Sequence, residues 1–327
     1  MIKKKKIGFV FSGYGSQYVG MGKDLYDQSR EVQELFEEAA SCLDTNFVKL
    51  CFASSDAELS RIENAYVAIF ITSIALTQSL KNIGIVPKYV AGYDIGEYAA
   101  IASLKGISIP DALYLLKKQA AFYQAFLDQY EIVQGFHVIG LEKKKLEKLC
   151  KKISKKEDIA LIAVVEGVNE YIVFTTGKAG EALRKELDDA FITVKPMPFG
   201  GGFHAPVMDE IVKSMRDYLE KVDFKDVSSS FVSGVIGKPL KKGEMIRAAL
   251  MQHIHAQTQW HKVKDMFKDC EYILEIGPGK ELQKSFSLLY PTKKVYAITS
   301  SADIETLKKE LLEENVVKKE DGHDSKI

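Results

Sequence analysis

Hydrophobic and polar positions along this chain form blocks that predict strands followed by helices. Lys5–Phe11 alternates little and is rich in Ile, Val and Phe, which is typical of a strand buried in a parallel sheet. Asp24–Leu43 repeats its apolar residues at helical spacing, with the polar residues on the opposite face. Ala65–Lys81 contains the longest largely apolar run of the chain, which predicts a buried helix, and Asn64 is a candidate cap for it. Polar side chains interrupt this segment, so we do not interpret it as a membrane span.

The same alternation continues through the second half of the chain, apart from one inserted segment. After a predicted strand and helix at residues 89–100, the pattern predicts a helix at Asp111–Gln129, a helix at Pro206–Val222, a strand near Ser228–Ser233, a helix at Gly243–His255, and strands at Tyr272–Ile276 and Lys294–Ile298. Alternating strands and helices of this kind predict an α/β domain with a parallel sheet.

The inserted segment has a different order of elements. Strands are predicted at Ile132–Ile139, Ile159–Val165, Tyr171–Thr176 and Phe191–Pro196, and helices at Lys143–Lys155 (basic and amphipathic) and Ala179–Leu187. This β-α-β-β-α-β order is typical of a ferredoxin-like module. We therefore predict a large α/β subdomain at residues 1–130 and 199–313, a ferredoxin-like subdomain at 131–198, and a charged, disordered tail at 314–327.

The segment Tyr89–Ala100, Y-V-A-G-Y-D-I-G-E-Y-A-A, predicts a sharp strand-turn-helix element of the nucleophile-elbow type. Glycines at Gly92 and Gly96 would allow the tight turn and the close helix crossing. The turn would raise the side chain of Asp94 above the sheet edge, near a helix N-terminus that favours negative charge. Serine or cysteine is usual at this place, so Asp94 is an unexpected occupant.

Composition excludes several classes of function. The chain has 45 Lys plus Arg and 45 Asp plus Glu, so its net charge gives no reason to expect nucleic acid or an anionic membrane as a partner. Its 4 cysteines are far apart and lack C-x-x-C spacing, which argues against a zinc site or a disulfide framework and favours a cytoplasmic location. His253 and His255 differ by two positions and would point apart on a helix, so we expect a charge role at the helix C-terminus rather than metal binding.

Several ordered motifs resemble the malonyl-CoA:acyl-carrier-protein acyltransferase family, in its stand-alone form. G-Y-D-I-G-E-Y-A-A resembles the family's G-H-S-x-G-E motif, and F-S-G-Y-G-S-Q-Y-V-G-M-G resembles its glycine-rich start. G-F-H-A-P-V-M, Q-T-Q-W and E-I-G-P-G-K resemble three further family motifs in the same order. The resemblance implies an α/β-hydrolase-like parallel-sheet domain with an inserted ferredoxin-like subdomain. It also implies acyl thioesters of coenzyme A or phosphopantetheine as substrates, no other cofactor, and an acyl carrier protein or a synthase module as partner.

The resemblance assigns roles to individual positions. The family's serine nucleophile aligns with Asp94 and its general base with His204. The histidine before the nucleophile aligns with Tyr93, and the glutamine beside the oxyanion hole aligns with Tyr14. Backbone N–H groups of Ile95 and of the Tyr14 loop would form that hole.

Two further substrate-site positions follow from the same alignment. Gln259 aligns with the residue that orients the histidine. The arginine that pairs with the malonyl carboxylate in the family aligns with Gln119, a change that is similar to an acyl-hydrolase branch found beside polyketide acyltransferases. A malonyl carboxylate ~4 Å from Asp94 would be repelled by on the order of 4 kcal/mol at a surface-like dielectric. We therefore expect poor malonyl selectivity.

Three interpretations of Asp94 remain open from the sequence. Asp94 could attack a thioester and form a mixed anhydride that His204 helps to hydrolyse. It could instead pair with His204, so that water attacks the thioester directly. In the third interpretation the site is inactive, and the protein is a pseudoenzyme that binds a carrier protein or a synthase module. The first two predict an acyltransferase or acyl hydrolase of fatty-acid, polyketide or antibiotic biosynthesis.

Overall fold

A computed structural model of the chain describes residues 5–130, 132–188, 190, 192–197, 204 and 206–320. The strands are β1 Ile7–Phe11, β2 Tyr89–Gly92, β3 Val133–Ile139, β4 Ala160–Gly167, β5 Glu170–Thr176, β6 Thr193–Pro196, β7 Ser230–Val232, β8 Pro239–Leu240, β9 Tyr272–Ile276 and β10 Lys294–Ile298. The helices are α1 Lys23–Gln28, α2 Arg30–Leu43, α3 Phe47–Phe52, α4 Asp56–Leu59, α5 Ile62–Asn82, α6 Gly96–Ser103, α7 Ile109–Leu127, α8 Lys143–Ile153, α9 Ala179–Asp188, α10 Asp209–Lys221, α11 Gly243–His253, α12 Trp260–Met266, α13 Glu281–Leu289 and α14 Ser301–Glu320.

The large sheet has the strand order β10-β9-β1-β2-β7-β8. Its strands are parallel from β10 to β7, as the sequence predicts, and β8 is an antiparallel edge strand that the sequence pattern missed. The central strand β1 is buried along its whole length, which explains why Ile7–Phe11 lacks polar alternation. The carboxyl ends of β1, β2 and β9 therefore converge at one edge, where ligand sites of open α/β sheets form.

The inserted segment forms a four-stranded antiparallel sheet with the order β4-β5-β3-β6. With α8 and α9 it has the predicted ferredoxin-like arrangement, so the predicted fold class is confirmed. A separate hydrophobic cluster fills this subdomain, with Leu146 of α8 and Leu183 of α9 packed against the sheet. Its predicted limits at residues 131 and 198 stay predictions.

Four sequence-based expectations for the helices need correction. The predicted helix Asp24–Leu43 is broken at Ser29, whose side chain accepts a hydrogen bond from Val32 N–H and so caps α2. Asn64 lies inside α5 rather than before it; Arg61 is the N-cap, and the Asn64 amide donates to the Glu58 carbonyl. The segment beginning at Pro206 starts as a short 3-10 turn, Pro206–Met208, before α10.

The fourth correction concerns the predicted disordered tail. Helix α14 extends to Glu320, so the first part of the segment 314–327 is helical, and residues 321–327 lie outside the described residues. Within the described part of the chain, no helix is both long and apolar enough to cross a membrane.

Candidate active site

The predicted elbow connects β2 to α6 and places Asp94 at its turn. Asp94 has a left-handed backbone with φ 51°, which is uncommon for a residue with a side chain and typical of strained functional turns. A Cβ at Gly92 would lie 2.0 Å from the Glu97 nitrogen, so only glycine fits there. A Cβ at Gly96 would lie 2.5 Å from the Phe11 carbonyl oxygen, which explains how α6 can approach β1 so closely.

Two backbone N–H groups hold the Asp94 carboxylate. Tyr14 N–H donates to Asp94 Oδ2 at 3.2 Å, and Ile95 N–H also hydrogen-bonds this carboxylate. These are the two N–H positions that the sequence predicts as oxyanion donors. In this structure they are occupied by the side chain of Asp94 itself.

His204, also predicted as a site residue, lies beside Asp94 and is buried. Its Nε2 is 3.6 Å from Asp94 Oδ1, too long for a good hydrogen bond but close enough for charge interaction. Its Nδ1 lies 2.6 Å from the His253 carbonyl oxygen, so Nδ1 carries the proton and donates. The ring of His253 is 4.2 Å away between centroids.

This contact shows that the predicted role of Gln259 is wrong, because the carbonyl that orients His204 belongs to His253. The Gln259 amide donates to Gln257 instead, at 3.0 Å from its Oε1. His253 ends α11, where the last carbonyls of a helix lack partners within the helix, so a carbonyl acceptor is available at that point.

Glu97 and His253 form a second buried pair behind His204. Glu97 Oε1 accepts from Gly234 N–H at 2.6 Å, and its Oε2 lies 3.6 Å from His253 Nδ1. Burial raises the pKa of Glu97 to about 8. Burial, together with the charge of His204, lowers the pKa of His253 well below its ordinary value, so His253 is neutral. The expected charge role of His253 at a helix C-terminus is therefore wrong.

The other two histidines have separate partners. His255 Nδ1 lies 2.5 Å from Asp209 Oδ1, and His261 Nδ1 lies 3.3 Å from the Val165 carbonyl oxygen. The described residues contain no group of three or more His, Cys, Asp or Glu side chains placed to hold a metal ion.

Burial raises the pKa of Asp94, and His204 and the two N–H donors lower it in turn. The effect of burial is the larger one, so the pKa of Asp94 is raised overall, because a buried carboxylate loses its hydration. The negative charge of Asp94 therefore depends on stabilisation by His204 and the two N–H donors.

Tyrosines surround Asp94, and Gln119 lies among them. Tyr98 donates its hydroxyl to Gln119 Oε1 at 2.6 Å. The Tyr66 ring is edge-on to Tyr14 and to Tyr123, at 5.7 and 6.3 Å between centroids. Tyr14 donates its hydroxyl to the Ser60 carbonyl at 2.9 Å, and its backbone N–H donates to Asp94.

Tyr93 points from the elbow toward the small subdomain. Its hydroxyl donates to Glu166 Oε1 of β4 at 2.5 Å, and its ring is edge-on to Trp260 at 5.0 Å. Glu166 Oε2 lies 3.8 Å from Lys264 Nζ, and both side chains are nearly buried. Tyr93 therefore joins the two subdomains, whereas the sequence predicts it at the substrate position.

Comparisons with known proteins identify the family of this chain. The family model described as "Acyl transferase domain" matches residues 8–276. The chain belongs to the acyl transferase domain family. It is similar to the malonyl CoA-acyl carrier protein transacylase of Bacillus subtilis (strain 168), with 28% identity over 314 residues that cover 95% of this chain and 98% of that protein.

Solved structures show the same acyl transferase fold. The malonyl CoA-acyl carrier protein transacylase of Clostridium perfringens matches with a TM-score of 0.88 and 23% identity, over 96% of this chain and 99% of that chain. A malonyl-transacylase solved in complex with a type II PKS acyl-carrier protein matches with a TM-score of 0.87 and 22% identity, over 93% and 99% of the two chains. The suspected family resemblance is thereby confirmed.

Sequence reasoning missed three residues of this acyl transferase site. Glu97 directly follows the elbow glycine, so its position in the motif was a signal that could have found it. His253 contacts His204 across 49 residues of the chain, and Glu166 contacts Tyr93 across 73 residues. No local pattern predicts such contacts.

Proposed function

We propose that this member of the acyl transferase family is a cytoplasmic protein of fatty-acid or polyketide assembly that binds acyl thioesters without forming a covalent acyl-enzyme. The thioester would be carried by coenzyme A or by the phosphopantetheine of an acyl carrier protein. Relatives named malonyl CoA-acyl carrier protein transacylases support this ligand class. A relative captured with its acyl-carrier protein supports the partner.

The contact that carries the proposal is between Asp94 and its two N–H donors. In acyl transfer, such donors stabilise the oxyanion of the tetrahedral intermediate. Here Tyr14 N–H and Ile95 N–H already bind the Asp94 carboxylate. An incoming thioester carbonyl would have to displace a negative charge from the donors that it needs.

Leaving-group chemistry supports the same proposal. If Asp94 attacked a thioester, the tetrahedral intermediate could expel either the thiolate or the carboxylate. A carboxylate is the conjugate base of an acid with pKa about 4, and a thiolate that of one with pKa about 8.5. The weaker base leaves first, so the intermediate would return to thioester and free Asp94.

The acyl group that fits this site is uncharged. Among the described residues, the ion-pair partner of Asp94 is His204, and no lysine or arginine forms an ion pair with it. Gln119 is engaged by Tyr98 and carries no charge to balance a malonyl carboxylate. A neutral acyl chain avoids repulsion from Asp94 and packs against the tyrosine rings.

Isothermal titration with non-hydrolysable acyl-pantetheine amides tests this proposal. We expect the acetyl analogue to bind and the malonyl analogue to bind about tenfold or more weakly, since like charges repel across a few ångströms. In the Asp94→Asn variant the difference between the two analogues shrinks. Tighter binding of the malonyl analogue, or binding of neither, contradicts the proposal.

A second candidate function is hydrolysis of acyl thioesters by water. The observation that favours it is the pairing of His204 Nε2 with Asp94, with the opposite nitrogen fixed by the His253 carbonyl. Such a histidine can accept a proton from an attacking water. Release of free thiol, lost in both Asp94→Asn and His204→Ala, distinguishes hydrolysis from binding alone.

A further inference from the structure

The carboxylate of Asp94 has one oxygen held by the backbone and the other on the side of His204. Tyr14 N–H donates to Oδ2 at 3.2 Å, and Oδ1 lies 3.6 Å from His204 Nε2. Ile95 N–H adds a second hydrogen bond to the carboxylate. The side chain of Asp94 is 15% exposed, so a small molecule can reach it. Oδ1 is therefore placed to attack a bound electrophile.

A saturated carbon suits this nucleophile better than a thioester carbonyl does. At a thioester, the tetrahedral intermediate expels the carboxylate, because the carboxylate is a weaker base than the thiolate. At a saturated carbon no such intermediate forms, and displacement leaves an alkyl ester of the carboxylate. Asp94 at the elbow therefore favours alkyl electrophiles over acyl ones.

The surroundings of Asp94 suit hydrolysis of such an ester. His204 donates from Nδ1 to the His253 carbonyl, so the lone pair of Nε2 is available to take a proton from water. Attack of this water on Asp94 Cγ would place negative charge on a carboxyl oxygen. Tyr14 N–H and Ile95 N–H already bind that carboxyl group. The donors that Asp94 denies to a substrate carbonyl would therefore serve as the oxyanion hole for its own ester.

Tyr66 of α5 offers a proton donor to the leaving group. Its side chain is fully buried, and its hydroxyl has no hydrogen-bond partner among the described residues. Its ring is edge-on to that of Tyr14 at 5.7 Å. Burial, followed by the charge of Asp94, raises the pKa of Tyr66 well above its ordinary value, so the phenol keeps its proton at neutral pH. A buried donor without an acceptor costs free energy, which a ligand oxygen bound there would recover.

From this arrangement we propose that the Asp94 site hydrolyses small neutral epoxides to vicinal diols. Asp94 Oδ1 attacks a ring carbon, the bond from that carbon to the ring oxygen breaks, and the ring oxygen takes the proton of Tyr66. Water then gives a proton to His204 and attacks Asp94 Cγ. The ester bond breaks, and the departing diol oxygen takes the proton from His204. The Asp94 carboxylic acid that remains returns its proton to Tyr66, so epoxide and water give only diol.

An epoxide fits these groups better than two other alkyl electrophiles do. An alkyl halide releases an anion that needs no proton, so it would give the Tyr66 hydroxyl nothing to do as a donor. An anionic electrophile would be repelled by Asp94, with which no lysine or arginine forms an ion pair among the described residues.

The test incubates the full chain with propylene oxide and measures propanediol. A single turnover in water labelled with heavy oxygen should give unlabelled diol and label in Asp94, because the first diol oxygen to be added comes from the carboxylate. In His204→Ala the ester should accumulate, as a mass gain of one propylene oxide that peptide mapping places on Asp94. His204→Gln repeats this test if the alanine variant does not fold, and Asp94→Ala should show neither ester nor diol.

The role of Tyr66 has its own variant and control. We expect Tyr66→Phe to form the ester about 100-fold more slowly, because the ring oxygen then leaves without a proton. The lost hydroxyl has no partner among the described residues, so thermal melts should show a folded protein. Tyr218→Phe, a partly buried tyrosine outside the site, should form diol at the rate of the unmodified protein.

Four results would overturn this inference. They are the absence of diol, label in the diol of the first turnover, alkylation of the exposed Cys42 without modification of Asp94, and faster turnover of bromoethane that is insensitive to Tyr66→Phe. The inference goes beyond the proposed function and does not rest on it. Propylene oxide contains no thioester, so these results and the acyl-pantetheine titration can fail separately.

Discussion

At the scale of single residues, Asp94 determines what this site can do. Its side chain accepts from Tyr14 N–H and Ile95 N–H and faces His204. A serine at the same position would leave both N–H groups available and could give its proton to His204. In the proposed function, the aspartate at this one position therefore separates the acyltransferase fold from covalent acyl transfer.

Replacing Asp94 with serine should restore part of that chemistry. We expect Asp94→Ser to gain one acyl mass with acetyl-pantetheine and to release thiol about 100-fold faster than Asp94→Ala, because the oxyanion donors become free. Intact-protein mass spectrometry and a thiol assay measure both. If Asp94→Ser and Asp94→Ala behave alike, the rest of the site is not competent for acyl transfer.

Malonyl transfer should need a second change. Asp94→Ser/Gln119→Arg supplies the charge that pairs with a malonyl carboxylate. Arginine cannot accept the hydrogen bond that Tyr98 gives to Gln119, so the matched variant also carries Tyr98→Phe. We expect malonyl loading in the double or triple variant and not in Asp94→Ser alone. Equal loading in all three variants would show that residue 119 does not select the acyl group.

Glu97 makes the stability of the protein depend on pH. Its pKa is about 8 in the folded protein against an ordinary value of 4.5. The folded state therefore binds a proton at Glu97 more tightly than the unfolded state does. The resulting stabilisation is complete below pH 4.5 and is lost as the pH rises toward 8. The loss is on the order of 5 kcal/mol; the raised pKa of Asp94 acts in the same direction, and the lowered pKa of His253 acts in the opposite direction.

Chemical denaturation between pH 5 and pH 8.5 measures this effect. In Glu97→Gln the fall in unfolding free energy with rising pH should be much smaller, since the amide cannot ionise and still accepts from Gly234 N–H. Glu281→Gln, at an exposed residue, is the control and should keep the slope of the unmodified protein. Identical slopes in all three proteins would mean that Glu97 is ionised in the folded state.

At the scale of elements, the elbow is joined to the small subdomain through Tyr93. Its hydroxyl donates to Glu166 of β4, and Glu166 also lies near Lys264 of α12. A hydrogen bond to a buried carboxylate contributes more than one in water, because leaving that carboxylate unsatisfied costs free energy.

Removing the Tyr93 hydroxyl should therefore destabilise the protein. We expect Tyr93→Phe to lower the unfolding free energy by about 1–3 kcal/mol in urea denaturation. Tyr218→Phe removes the hydroxyl of a partly buried tyrosine that has no hydrogen bond among the described contacts, and it should change the unfolding free energy little. The prediction fails if the two variants lose equal stability.

Local patterns predicted the elements well and their ends less well. The apolar run of β1 and the glycines of the elbow are consequences of local sterics and burial, so they are visible in the sequence. The pattern does not show that a helix breaks at Ser29 or that α5 begins before Asn64. Both features depend on which residue makes the capping contact, and the pattern does not decide that. The edge strand β8 has two residues, too few for any periodicity.

At the scale of the whole molecule, the site is assembled from segments far apart in the chain. The resemblance placed Asp94 and His204 correctly together, but the supports of His204 came from tertiary packing: the carbonyl and ring of His253, backed by Glu97. The position of helix α8 is likewise set by tertiary packing. Its basic pattern was visible in the sequence, but its position beside Gln257 was not.

The central claim is that this protein binds acyl thioesters and does not form a covalent acyl-enzyme. The measurement that tests it most directly is intact-protein mass spectrometry with parallel detection of free thiol, after incubation with acetyl-, malonyl- and longer acyl-pantetheine thioesters. The account predicts no added mass and no thiol release, at concentrations where the amide analogues bind. A mass gain localised to Asp94, or thiol release that Asp94→Asn and His204→Ala abolish, would contradict it.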